Sequence, residues 1–211
     1  MKTLWRSVIQ SKQDYGSQVW SPANLPGDLL AQEGPLRTFS RKVRGLESKN
    51  YWQRLKSLGL QSTQRRNERY KILYTWKSLK GIVPDFGLVP TLSMGRNGGL
   101  RCKIPDVTGT KERIQTLREN SLVTEGPRLF NSLPKQLRDT TMSLESFKSR
   151  LDTLLALIPD QPMTETLTPD PTNRTGRRSN SIRDWIPFLG LTDWFHELNS
   201  KTKSPPWDSR S

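Results

Sequence analysis

Residues 54–84 read RLKSLGLQSTQRRNERYKILYTWKSLKGIVP, and how this stretch folds decides the class of the chain. It sets Arg54, Lys56, Arg65, Arg66, Arg69, Lys71, Lys77 and Lys80 among Tyr70, Ile72, Leu73, Tyr74 and Trp76, with Glu68 the only acid. Ser62 is a candidate N-cap, Gly81 can take the left-handed conformation just past a helix end, and Pro84 is a stop. One long helix over about residues 63–80 is therefore expected. At about 100° per residue, Ile72, Leu73, Trp76 and Leu79 share one broad sector, the side a helix buries. Arg65 and Arg69 project into that sector before the apolar residues begin. Either their stems pack while their heads stay wet, or the N-terminal half leaves the core and aims its guanidinium forks at a phosphate backbone.

On the N-terminal side, residues 3–13, TLWRSVIQSKQ, have the spacing of a short amphipathic helix, and Trp5, Tyr15 and Trp20 form an aromatic cluster. A helix capped by Asp28 should be interrupted at Gly34-Pro35, because a proline removes a hydrogen bond and clashes with the preceding turn. PLRTFSRKVRGL (35–46) then reads as a second helical piece with Leu36, Phe39 and Val43 inward and Arg37, Arg41 and Arg44 outward. Tyr51 to Leu58 makes another short helix that buries Trp52 and Leu55 and closes at Gly59.

On the C-terminal side the period changes to two. Leu92 and Met94 alternate with Ser93, and Leu100, Cys102 and Ile104 alternate with Arg101 and Lys103. Asn97-Gly98 between them makes a β-hairpin, and a turn accounts for Gly95, Gly98 and Gly99 without a phosphate loop. A charged helix around Lys111 to Asn120 follows, then GPRLFNSLPKQLRD (126–139), where Leu129, Phe130 and Leu133 are core candidates. Ser143 caps an amphipathic helix that buries Leu144, Phe147, Leu151, Leu154, Leu155 and Ile158. From Gln161 the composition turns to Pro, Thr, Ser, Asn and Arg, which reads as a disordered tail. It holds one aromatic island with Trp185, Phe188, Trp194 and Phe195, either a docking peptide or sequence beyond the domain.

The net charge is +14, and residues 35–80 hold thirteen bases against two acids, so nearly all the excess lies there. A localised positive field attracts polyanions, and nucleic acid fits better than a membrane surface because no apolar helix face adjoins it. With one cysteine, Cys102, and one histidine, His196, the chain can form neither an internal disulfide nor a Cys/His zinc cluster. It has no apolar run of membrane-spanning length, and an intracellular protein, nuclear or cytoplasmic, is expected.

Catalytic chemistry is absent from the pattern. No Asp-Asp dipeptide occurs for two-metal catalysis. His196 sits in the tail, and Cys102 reads as a buried thiol. Catalytic residues, metals and cofactors are accordingly all expected to be none.

Five segments in order, LWRSVIQSKQDYGSQVWSP, PLRTFSRKVRGL, YWQRLKSLGLQSTQRRNERYKILYTWKSLKGIVP, GPRLFNSLPKQLRD and SLESFKSRL, resemble the C-terminal end of a non-LTR retrotransposon reverse transcriptase of the jockey-like or LINE type. The chain is therefore expected to be mainly α, a helical thumb-like bundle with one small β-hairpin and a disordered C-terminal tail, the thumb-like character being what the resemblance implies. Its divisions are a palm-to-thumb segment (1–27), a basic thumb-like region (28–84), a hairpin with C-terminal helices (85–160) and the tail (161–211). The resemblance also implies a grip on template and primer, RNA or an RNA–DNA hybrid, and contact with a palm domain through Trp5, Tyr15 and Trp20. The family's endonuclease, fingers and palm have no counterpart here, so no activity is expected of this chain alone, and Met1 is open to being an internal methionine. Charge and resemblance together make Arg37, Arg41, Arg44, Arg65, Arg66, Arg69, Lys77 and Lys80 the candidate nucleic-acid contacts. The alternatives are a protein-interaction module, in which those aromatics and the island at Trp185 to Leu198 dock a partner, or a translated relic of a transposable element.

Overall fold

Thr63–Leu79 forms one α-helix (α6), ended by the residues its sequence singles out. The Ser62 hydroxyl accepts the Arg65 N–H at 3.1 Å. At the far end Gly81 takes φ +67, and the Ile82 and Gly81 N–H groups donate back to the carbonyls of Lys77 and Ser78. This double closure satisfies carbonyls that a helix end otherwise leaves open. The computed structural model describes residues 2–20, 26–83, 92–94, 100–106, 112–161 and 181–188.

Among these residues the chain is mainly helical. Before α6 come α1 (Lys2–Leu4), a π-helical run (Trp5–Gln10), α2 (Ser11–Asp14), α3 (Ser17–Trp20), α4 (Pro26–Arg41) and α5 (Tyr51–Leu58). After it come the strands β1 (Leu92–Met94) and β2 (Leu100–Cys102), then α7 (Glu112–Glu119), α8 (Leu122–Ser132), α9 (Leu144–Leu157) and α10 (Ile182–Trp185). The two alternating stretches pair antiparallel with Ser93 opposite Arg101. The Asn97-Gly98 turn lies outside the described residues, as do Trp194, Phe195 and most of the expected tail.

The buried apolar residues form two clusters, and α6 contributes to the larger one. In the smaller one Leu36, Tyr51, Leu55 and Leu60 surround Trp5, whose ring stacks on Phe39 at 4.6 Å. The larger one gathers Ile72 and Trp76 of α6 with Leu129 and Phe130 of α8 and with Phe147, Leu151, Leu154 and Leu155 of α9. Trp76 stacks on Phe147, with centroids 4.8 Å apart and planes within 11°.

The GPRLFNSLPKQLRD stretch joins the hairpin to α6 residue by residue. Gly126 lets α8 approach α6 so closely that a Cβ there would overlap the Thr75 hydroxyl. Leu129, Phe130, Leu133 and Leu137 are buried. The Asn131 amide acts as a stub of strand beside β2: its Oδ1 accepts the Cys102 N–H and its Nδ2 donates to the Cys102 carbonyl, both at 2.8 Å. Arg138 donates to the Leu100 carbonyl at 2.6 Å. In SLESFKSRL, Ser143 caps α9 by accepting the Ser146 N–H, and Phe147 meets Trp76.

Three expectations are corrected. α4 runs unbroken through Gly34-Pro35. Pro35 and Ala31, whose carbonyl the proline leaves without a donor, are both exposed, so water replaces the lost N–H. Buried Glu33, Leu36 and Ser40 hold the inner face on both sides of that site. Trp5 is 2 % exposed and belongs to the chain's own core, whereas Tyr15 and Trp20 remain at the surface. The start of the aromatic island is no loose sequence, because Ile182 is fully buried in the larger cluster and Trp185 and Ile186 pack against it.

Candidate nucleic-acid interface

The eight candidate cations divide among three places. Arg65, Arg66 and Arg69 lie on the N-terminal half of α6, Lys77 and Lys80 at its C-terminal end, and Arg37, Arg41 and Arg44 on and just after α4. At about 1.5 Å rise per residue, the two groups on α6 are separated by more than two turns.

Arg65 and Arg66 are both buried, so for Arg65 neither the wet-head nor the phosphate-facing reading holds. Arg65 is 0 % exposed, donates to the Pro159 carbonyl at 2.8 Å and faces Asp160 at 3.8 Å. Asp160 also accepts the Ser62 N–H at 2.6 Å and the Ser62 hydroxyl at 2.7 Å, so the end of α9 clamps the start of α6. Arg66, 5 % exposed, donates to Asp14 at 2.9 Å and to the Gln61 carbonyl at 2.8 Å. Glu33 completes the helix start by accepting the Thr63 N–H at 2.8 Å and the Tyr51 hydroxyl. Two carboxylates thus occupy the positive end of the helix dipole, where they take the Ser62 and Thr63 N–H groups.

Arg69 is half-buried and forks onto Asp152 of α9, with Nε at 2.5 Å and Nη2 at 2.8 Å from its oxygens. That carboxylate holds the guanidinium above its ordinary range, against the opposing pull of burial. Further along, burial pushes the Lys71 ammonium down, opposed by the charges of Glu125 and Glu68. The basic half of α6 therefore meets acids brought from α2, α8 and α9.

A basic surface remains at the α4–α5 corner. Arg41, Lys42, Arg44, Lys49 and Lys56 are all exposed, and none makes an ion pair with a carboxylate among the described residues. Glu47, the corner's acid, turns its carboxylate to the Gly45 N–H at 3.1 Å. Arg37, half-buried, lies 4.2 Å from the Tyr51 ring centroid and 6.0 Å from that of Trp52, so stacking fixes it. Arg54 braces the corner by donating to the Lys49 carbonyl at 2.6 Å. Lys77 is half-buried, while Lys80 is exposed with its Nζ 5.5 Å from the Trp76 centroid. Lys42, Lys49 and Lys56 were not among the candidates, although the sequence signal for them, a run of bases broken only by Glu47, is plain.

Glu68 is buried at the junction of α6 and α10, where it accepts the Ile182 N–H at 2.9 Å. Burial raises its carboxyl above the ordinary 4.5, against the hydrogen bond from Ile182 and the charge of Arg65. Between 4.5 and the higher folded-state value the folded chain keeps a proton that the unfolded chain has released, so this group's contribution to stability falls as pH rises. Glu68→Gln keeps an oxygen for Ile182 and removes the titration. Urea titrations upward from pH 4.5 are expected to show wild type losing stability relative to the variant, and parallel pH profiles would refute this.

No protein-family model, curated protein or solved structure matches this chain. Among the described residues no helix is long and apolar enough to cross a membrane. Burial pushes the Cys102 thiol up to about 12, outside the range of a reactive thiolate.

Proposed function

We propose that this chain is the thumb and post-thumb region of a non-LTR retrotransposon reverse transcriptase, without the catalytic centre, and that it holds the phosphate backbone of RNA or an RNA–DNA hybrid. The observation that carries the reading is the α4–α5 corner, where Arg41, Lys42 and Arg44 are exposed without a carboxylate partner among the described residues. The resemblance supports it. The segments that carry the likeness are those that pack on one another, 126–139 and 143–151 against α6. The grip moves from the arginines of α6 to the corner, with Lys80 a separate contact. Tyr15, Val19 and Trp20, at 83 %, 70 % and 51 % exposure, are the surface left for a preceding palm. Binding is tolerant of sequence, because phosphate contacts position a strand without reading its bases. Replacing Arg41, Lys42 and Arg44 together by Ala is expected to flatten the slope of log K against log salt by roughly 2 to 3 for an RNA–DNA hybrid. An unchanged slope in a folded triple variant would sink the proposal.

A further inference from the structure

We infer that the cleft between the N-terminal helical run, the Gly59 turn and α6 is a phosphate-binding site, in which Asp152 holds the place of the phosphate. The cleft encloses about 350 Å³, and Arg6, Arg66, Arg69, Tyr70 and Asp152 line it beside Gly59. That volume accepts a phosphate group with its hydration or an attached sugar. Three cations, Arg6, Arg66 and Arg69, line it, and a fourth, Lys2, approaches Gly59 at its edge. Arg66 is neutralised by Asp14, and Arg69 by Asp152. Arg6 donates to the Gly59 carbonyl at 2.9 Å, and Lys2 places its ammonium 3.4 Å from where a Gly59 Cβ would stand. Neither Lys2 nor Arg6 pairs with a carboxylate among the described residues, so two cations stand in excess around a polar cleft.

The Arg69–Asp152 pair is the replaceable element. The Asp152 side chain is 48 % exposed and that of Arg69 22 %, and water screens an ion pair in this position. Its geometry is nevertheless that of a guanidinium fork on two oxygens, which a phosphate reproduces with equal fit and more charge. An arriving phosphate releases Asp152 to solvent, keeps the Arg69 fork and gains Arg6 and Lys2. None of these side chains belongs to the α4–α5 corner, so the inference does not depend on nucleic acid being held there.

The test is calorimetric titration of the full chain, at low ionic strength, with inorganic phosphate and with a short oligo(U) that bears no terminal phosphate. Arg6→Gln removes an exposed cation without emptying a core position and is expected to weaken phosphate binding about tenfold. Asp152→Asn frees Arg69 and is expected to tighten it about two- to fivefold. Circular dichroism confirms that each variant is folded. Competition between oligo(U) and inorganic phosphate identifies the ligand as a diester backbone, and binding of inorganic phosphate alone identifies it as a free or terminal phosphate. The inference is overturned if neither probe binds wild type, or if the affinity for phosphate is the same in wild type, Arg6→Gln and Asp152→Asn.

Discussion

Asp14→Ala is expected to destabilise the protein by about 3–5 kcal/mol, the cost of leaving a buried charge without its partner. The Asp14 carboxylate accepts from Arg66 Nε at 2.9 Å, the Tyr70 hydroxyl at 3.2 Å and Gln10 Nε2 at 3.3 Å. Without it the Arg66 guanidinium, 5 % exposed, keeps the Gln61 carbonyl at 2.8 Å and a long contact of 3.4 Å to Gln13. Neither carries a compensating charge. Arg66→Met in the Asp14→Ala background is expected to recover much of the loss, because an apolar side chain of similar length replaces a buried ion pair at little net cost. Urea denaturation followed by far-ultraviolet circular dichroism reads both effects. A loss below about 1 kcal/mol would mean that the pair is screened like a surface salt bridge, and the account of Arg66 as an internal residue would fail.

The second large effect lies in the larger apolar cluster. Trp76→Ala is expected to cost about 3–5 kcal/mol, the range for emptying a large aromatic site in a close-packed core. Trp76 is 0 % exposed, and its stacking partner Phe147 comes from α9, so the cavity opens where α6 and α9 join. The indole N–H has no hydrogen-bond partner among the described residues, so Trp76→Phe sacrifices volume but none of the described bonds, and its expected cost is under about 1.5 kcal/mol. Denaturation midpoints of the two variants check the contrast. Equal losses would show that the stacked pair is not what this position supplies.

Elements were legible where a local signal specifies them. Ser62 and Gly81 bound α6, Gly59 ends α5, and the period of two in 92–102 pairs as two short strands. The core list for α9 followed from spacing alone. Pro35 was misread because proline acts on one hydrogen bond, whereas α4 is held by a whole buried face. Trp5 was misread because a short amphipathic helix does not say which neighbour covers it. The docking of Ile182 rests on Glu68, which lies 114 residues away along the chain.

The candidate site was legible as charge and not as surface. The sequence by itself determined the helical class, the ends of α5, α6 and α9, and the density of bases between 35 and 80, because these depend on residues within a few positions of one another. Only the tertiary structure decided which of those bases face solvent. The acids that meet Arg65, Arg66 and Arg69 are Asp160, Asp14 and Asp152, brought in from the two ends of the fold. An ion pair depends on distance in space, which a count of charges along the chain does not contain. The arginines of α6 that looked most suited to a phosphate backbone are paired with acids of the fold, and the bases exposed without a carboxylate partner among the described residues include Arg41, Lys42 and Arg44 at the α4–α5 corner.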